Sequence, residues 1–195
     1  MQRIGLLGGT FNPIHIGHLL AAEAAREAAE LDQIWFVPTL VPPHKAEPGV
    51  AASIRLEMLQ AAIAGNPCFK VEDIELHRSG TSYTIDTVTA LQQRHPDIMF
   101  FWIVGSDMIN DLPNWRSIDE LTARIFFVGL ERPNEPVTEA ELPDFIQDRL
   151  LRASMPPIGI SSTDIRRRLK EGKSVRYMVP DPVLTLIQRD GLYES

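Results

Sequence analysis

Ile4-Gly5-Leu6-Leu7-Gly8-Gly9-Thr10-Phe11-Asn12-Pro13-Ile14-His15-Ile16-Gly17-His18 is the stretch on which the fold turns. A short apolar run, Ile4–Leu7, ends in paired glycines, and a helical pattern follows from about Ile16 to Glu30. Strand, glycine turn and helix in that order form a βα unit. Gly8 and Gly9 permit a tight turn and let a ligand approach the backbone. The helix that follows presents N–H groups and a positive dipole end, which suit phosphate. His15 and His18, three residues apart at a helix start, share one face. Two imidazoles there can donate hydrogen bonds to phosphoryl oxygens as charge develops. The string is neither the dinucleotide G-x-G-x-x-G nor a Walker phosphate loop, since no Gly-Lys-Ser/Thr follows.

Working outward, two periods alternate. Ile34–Val37 is a second apolar run stopped by Pro38, and Pro38–Ala52 reads as a loop from its Pro42, Pro43, Pro48 and Gly49. Ser53 reads as the N-cap of an amphipathic helix to about Ala64. Phe69–Glu75 alternates as a strand, Thr84–Arg94 reads helical, and Met99–Val104 has the composition of a buried strand. Ile125–Val128 is the next strand, with helices expected at Glu141–Leu151, Ser162–Glu171 and Pro182–Asp190. Glu131–Glu141 reads as an acidic surface loop. The alternation predicts a Rossmann-like α/β fold: a doubly wound parallel sheet with helices on both faces. Ligands of such sheets gather beyond the carboxyl ends of the strands.

The chain has 195 residues, 44% hydrophobic and 23% charged, the size and balance of a single domain (1-195). A formal net charge of −7 argues against nucleic acid as a partner. The single cysteine, Cys68, excludes an internal disulfide. Ile98–Val104, the longest strongly apolar run, is far too short to span a bilayer, so no membrane partner is expected. The first residues break into glycines before a signal-peptide core can form, and the expected location is cytoplasmic.

A second constellation is Gly159-Ile160-Ser161-Ser162-Thr163-Asp164-Ile165-Arg166. Ser161 to Thr163 are helix-start residues, and Arg166 lies one turn in. From Arg166 to Arg176 there are six Lys/Arg and one Glu, a local +5 that leaves −12 on the remainder. A solvated basic face accounts for Arg167 and Arg168. Ser162 and Arg166 are better read, beside the first motif, as polyphosphate ligands. The plainer reading of the first motif is a glycine-started helix with two surface histidines. A zinc site of His15, His18 and His44 lacks a fourth ligand.

Gly9-Thr10-Phe11-Asn12-Pro13-x-His15-x-Gly17-His18, together with Ile160-Ser161-Ser162-Thr163-x-x-Arg166, resembles the nucleotidyltransferases that carry an HxGH motif. Class I aminoacyl-tRNA synthetases are relatives of that group, but 195 residues leave no tRNA-binding module. Intervening segments narrow the resemblance to the bacterial nicotinate-nucleotide adenylyltransferases. They are Pro38-Thr39-Leu40-Val41-Pro42-Pro43-His44-Lys45, Arg55-Leu56-Glu57-Met58-Leu59, Ser82-Tyr83-Thr84-Ile85-Asp86-Thr87, and Gly105-Ser106-Asp107 followed by Leu112-Pro113-Asn114-Trp115. One position departs: Asn12 stands where that family commonly has Asp.

The resemblance implies adenylyl transfer from ATP to nicotinate mononucleotide, giving nicotinate adenine dinucleotide and pyrophosphate. It implies that His15, His18 and Arg166 are catalytic. It implies an ATP site of Gly8, Gly9, Thr10, Phe11, His15, His18, Gly105, Asp107, Ile160, Ser161, Ser162 and Arg166, completed by the helical part at about 159-195. Asp107 would accept from a ribose hydroxyl. Thr84 and Trp115 would bind nicotinate, the indole stacking on its ring, with backbone amides at Thr84 and Arg116 receiving the carboxylate. Lys45 is a further candidate for phosphate contact, and its loop a candidate to close over the site. The implied cofactor is Mg2+ carried with ATP. Two other readings stay open: a related adenylyltransferase acting on an acceptor such as phosphopantetheine, and a nucleotide sensor that does not catalyse.

Overall fold

A computed structural model describes residues 1–40, 49–78, 80–131 and 142–194. Its centre is a six-stranded sheet, every strand parallel, in the order β3-β2-β1-β4-β5-β6. The strands are β1 (Gln2–Gly9), β2 (Gln33–Pro38), β3 (Phe69–Val71), β4 (Ile98–Gly105), β5 (Phe126–Glu131) and β6 (Leu150–Ser154). The helices are α1 (Ile16–Ala28), α2 (Ala52–Ile63), α3 (Thr84–Arg94), α4 (Ser106–Ile109), α5 (Ile118–Arg124), α6 (Asp144–Gln147), α7 (Ser162–Lys170) and α8 (Asp181–Arg189). Parallel neighbours need crossovers, and helices supply them.

Side chains alternate across each strand and so divide the core in two. On one face Ile34, Phe36, Phe101 and Ile103 meet Ala22 and Ala25 of α1, Met58 and Leu59 of α2, Ile165 of α7 and Val183 and Ile187 of α8. On the other, Trp35, Val37, Phe100, Trp102 and Val104 meet Ile85 and Val88 of α3, Ile109 of α4, Leu121 of α5 and Ile146 of α6. Covered on both faces, the inner strands read as continuous apolar runs. The doubly wound sheet expected from the sequence is the observed one.

Three local expectations are corrected. The helix expected from Ser53 starts earlier: Ala51 is its N-cap, its carbonyl accepting from Ile54 and Arg55 N–H. Ser53 lies inside the first turn with an exposed side chain. The strand expected over Phe69–Glu75 stops at Val71, and Ile74–His77 forms a 3-10 turn that buries Ile74 and Glu75 together. Alternation cannot continue where two neighbours both face inward. Where one helix was expected over Glu141–Leu151, the short α6 is followed by the edge strand β6. The loop expectations for 41–48 and 132–141 lie outside the described residues. Among the described residues no helix is long and apolar enough to cross a membrane.

Candidate active site

Strand order reverses at β1 and β4. They are neighbours in the sheet, yet β1 leads into α1 on one face and β4 into α4 on the other. The divergence opens a crevice at their carboxyl ends, where ligands of open α/β sheets bind. Gly8 and Gly9 end β1, and Gly105 ends β4. A Cβ on Gly105 would lie 2.8 Å from Asp107 Oδ1, so the glycine makes room for that carboxylate at the rim of the crevice.

From Thr10 to His15 the chain crosses this rim. Phe11 has φ 49° and the Asn12–Pro13 peptide is cis. Phe11 is buried, its ring edge-on to His18 at 5.1 Å. His15 is the N-cap of α1, and its backbone N–H donates to His18 Nδ1 at 3.3 Å. A neutral His18 therefore carries its proton on Nε2. The two imidazoles stack with centroids 3.7 Å apart, on the shared face their spacing predicts. A Cβ at Gly17 would lie 3.0 Å from His15 Nδ1 and 3.1 Å from Cε1, closer than packed atoms normally sit.

The second motif docks on this loop. Ser161 caps α7, its hydroxyl accepting from Asp164 N–H. Ser162 Oγ donates to Pro13 O at 2.9 Å, and Arg166 Nη1 donates to Asn12 O at 2.8 Å, across 149 and 154 residues of sequence. The Ile160 carbonyl lies 3.6 Å from where a Gly17 Cβ would be, so the start of the second motif runs close beside the first. Other charges of the basic stretch pair locally: Arg167 with Asp164 and Glu171, Lys173 with Glu171, and Arg168 Nε with Ser174 O. Arg166 alone of the arginines in α7 reaches the loop.

On the opposite face, Tyr83 is the N-cap of α3, so Thr84 occupies the first helical position, where backbone N–H groups lack intrahelical partners. Trp115 follows the 3-10 turn Leu112–Asn114, half-buried, with its indole edge-on to Phe127 at 6.2 Å. Arg116 spreads its guanidinium over the Tyr83 ring at 4.6 Å. That contact ties the Trp115–Arg116 segment to the start of α3. Lys45 lies outside the described residues.

Residues 6–168 match a family model described as Cytidylyltransferase-like. The nicotinate-nucleotide adenylyltransferase of Bacillus subtilis (strain 168) is 46% identical over 196 residues, covering 100% of each chain. A relative from Halalkalibacterium halodurans, named "Probable nicotinate-nucleotide adenylyltransferase", is 47% identical over 100% of this chain and 93% of its own. The chain belongs to the nicotinate-nucleotide adenylyltransferase family. It is a nucleotidyltransferase. The fold is shared with Plasmodium falciparum nicotinic acid mononucleotide adenylyltransferase complexed with NaAD, at TM-score 0.82 and 21% identity over 100% of this chain and 98% of that one.

Two buried groups of this adenylyltransferase were not singled out from the sequence. Arg55 of α2 is 1% exposed, and its Nη1 donates to Thr10 O at 2.6 Å and Thr39 O at 2.9 Å. It thereby staples the segments that leave β1 and β2. Glu75 is 3% exposed and accepts from Thr87 Oγ1 at 2.7 Å, while Thr87 in turn accepts from Arg78 at 2.5 Å. The hydroxyls of Thr39 and Ser82 also bond this carboxylate, joining the end of β2 to the approach to α3. Burial raises the Glu75 carboxyl above its ordinary value, outweighing those hydrogen bonds and Arg78.

Two outcomes are expected. Gly17→Ala improves local helix propensity but pushes on His15, so Tm holds or rises while kcat falls by about tenfold or more. Paired melting and steady-state measurements decide it, and an unchanged kcat refutes the crowding argument. For Glu75 the sign follows from its raised pKa. Between the unfolded and folded values the native state holds more protons, so the contribution of Glu75 to stability declines as pH rises from about 4.5 through the folded value. Glu75→Gln removes that slope. The Tm of the variant relative to wild type should rise with pH across that window and level off above it; a constant difference counts against the assignment.

Proposed function

We propose that this chain transfers the adenylyl group of ATP to nicotinate mononucleotide, forming nicotinate adenine dinucleotide and pyrophosphate. The observation that carries the reading is the junction of Ser162 and Arg166 with the Asn12–Pro13 carbonyls, which gathers a stacked histidine pair, two helix N-termini and one arginine around the crevice. Helix N-termini and a guanidinium together suit a polyphosphate. A phosphate oxygen of the acceptor attacks the α-phosphorus of ATP, and the bond from that phosphorus to the bridging oxygen breaks as pyrophosphate leaves. The nucleophile is already anionic at neutral pH, so no general base is required.

Positioning and electrostatics then carry the catalysis. In this reading His15 and His18 donate to ATP phosphates and meet the charge moving onto pyrophosphate. Ser162 and Arg166 hold the triphosphate, Ile160 and Ser161 lie near adenine, and Gly8, Gly9, Thr10 and Phe11 form the floor. Gly105 and Asp107 line the nucleotide cleft, with the Asp107 carboxylate accepting from a ribose hydroxyl. Thr84, Trp115 and Arg116 receive the nicotinate end, and Lys45 is a candidate for phosphate contact. Among the described residues no group of three or more His, Cys, Asp or Glu side chains gathers to hold a metal ion. Mg2+ would accordingly be held by phosphate oxygens and water, which suits that hard cation. It would neutralise triphosphate charge. The proposal places the enzyme in the cytoplasm and assigns it no nucleic-acid or membrane partner.

Acceptor choice follows from the α3 N-terminus. Nicotinate presents a carboxylate to N–H donors at Thr84 and Arg116, where nicotinamide presents an NH₂ to those same donors. Two charge-assisted bonds of about 1.5–3 kcal/mol each predict a preference of roughly a hundredfold to many thousandfold for the acid. Measuring kcat/KM with nicotinate mononucleotide, nicotinamide mononucleotide and phosphopantetheine tests it. Equal use of the two mononucleotides, a preference for phosphopantetheine, or nucleotide binding without pyrophosphate release each overturns the reading. His18→Ala should lower kcat by about 10² or more, as for loss of an oxyanion donor, with KM for the acceptor little changed. Near-normal kcat in that variant removes His18 from the mechanism.

A further inference from the structure

The end of the chain returns to the site. After α8 the helix closes with Gly191 at φ 57°, and the Leu192 N–H reaches back to Ile187 O at 3.0 Å. That is the six-to-one bond of a Schellman stop, which turns the chain sharply. Tyr193 follows at φ 69°, a left-handed conformation that side-chain-bearing residues avoid. Residual strain in such a residue calls for something that holds it there. Its phenol packs partly buried against the core formed by α1, α2, α7 and α8, and its hydroxyl donates to Asn12 Oδ1 at 2.6 Å across 181 residues.

We propose that Tyr193 is a positioning residue for the ATP side of the reaction, holding the Asn12 side chain so that the loop presents its carbonyls to α7 and sets His15. The geometry behind this is a three-point clasp on two consecutive residues. Tyr193 holds the Asn12 side chain, Arg166 its carbonyl, and Ser162 the carbonyl of Pro13. Phe11, just before, is itself left-handed, and His15, three residues on, begins α1. A loop with one residue in that region and few ladder bonds of its own depends on such outside contacts for a single conformation. Burial pushes the Tyr193 hydroxyl above its ordinary value, so it remains a donor throughout the neutral range, against the opposing pull of Arg166 and Arg55. Asn12 supplies an acceptor that does not titrate.

The inference rests on the ATP site proposed above. Its test is steady-state kinetics with ATP and nicotinate mononucleotide, joined to calorimetric titration of ATP alone, on wild type, Tyr193→Phe, Asn12→Leu, the double variant and Asn12→Asp. Leaving the Asn12 oxygen without its donor should cut kcat/KM for ATP by about five- to a hundredfold, while KM for the mononucleotide stays within about twofold. Asn12→Leu should cause the same selective loss from the other end of the bond. Because the two residues act as one unit, the double variant should be no worse than the poorer single variant. Asn12→Asp keeps an acceptor oxygen and should stay within a few-fold of wild type. Should Tyr193→Phe fail to fold, Asn12→Leu and Asn12→Asp carry the same comparison. A lower Tm with kcat and both KM values unchanged, a rise in KM for the mononucleotide as large as that for ATP, or additive losses would overturn the proposal. If wild type transfers no adenylyl group, the functional reading falls by itself; the titration still shows whether Tyr193→Phe or Asn12→Leu weakens ATP binding, and undiminished binding overturns this inference too.

Discussion

Two carbonyl groups, those of Asn12 and Pro13, are the pivot of the molecule. The loop that leaves β1 belongs to no ladder at that point, and backbone oxygens near a protein interior need donors. The chain supplies them from about 150 residues downstream, through Arg166 and Ser162 of α7. Everything on the phosphate side depends on that meeting. It docks α7 on the loop that precedes α1 and brings the Ile160 carbonyl to 3.6 Å, ordinary contact distance, from where a Gly17 side chain would begin. The helix that provides the donors is thinly anchored, since Ile165 is its one buried residue among the nine of α7. Polar contacts with the loop therefore account for much of its placement.

Charge is deployed locally rather than broadly. The chain carries −7 overall, and the basic run Arg166–Arg176 has acidic partners close by. Asp164, Glu171 and Asp181 pair with three of those six cations, Arg167, Lys173 and Arg176, at the surface. Exposed pairs of that kind are worth little in stability, a median of about 0–1 kcal/mol. They offset part of the basic charge locally, while Arg166 is directed at the loop carbonyl of Asn12. Arg55 extends the same economy inward: a buried guanidinium whose Nη1 donates to the carbonyl oxygens of both Thr10 and Thr39 ties two strand ends together. Burial lowers its pKa, but from so high a value that the group stays charged.

Much of this was legible in the sequence, and the reasons for the gaps are physical. Inner strands announce themselves because both faces are covered, so Ile34–Val37 and Met99–Val104 are unbroken apolar runs. The edge strand β6 gives no such signal: of Leu150–Ser154 only Ala153 is buried, and the pattern fits helix as well as strand. Phe69–Glu75 alternates only until Ile74 and Glu75 turn inward together. In the site, spacing alone put His15 and His18 on one face, and their rings do stack. Ser161 announced its helix start by residue type. Arg55 entered only as part of a family segment, with no role, because an arginine in an amphipathic helix normally marks the solvent side, and Glu75 looked like one more charge in a strand. Tyr193 could not be found by any local pattern, because its partner lies 181 residues away.

The two faces of the sheet divide the chemistry between them. The residues assigned to ATP phosphates stand on α1 and α7, which pack on one face, and those assigned to nicotinate stand at the start of α3 and beside Trp115, on the other. They meet only at the crevice where β1 and β4 part company. The faces have separate cores, so each half can be braced by its own buried polar group: Arg55 behind the β1 loop, Glu75 behind the approach to α3. Thr39 is where the braces touch, its carbonyl taken by Arg55 and its hydroxyl by Glu75. Thr39, just past the end of β2, thus carries a direct polar link between the two halves. Adenylyl transfer needs both substrates held at once and in line, and the shared brace at Thr39 ties the loop behind the proposed phosphate site to the approach to the proposed nicotinate site.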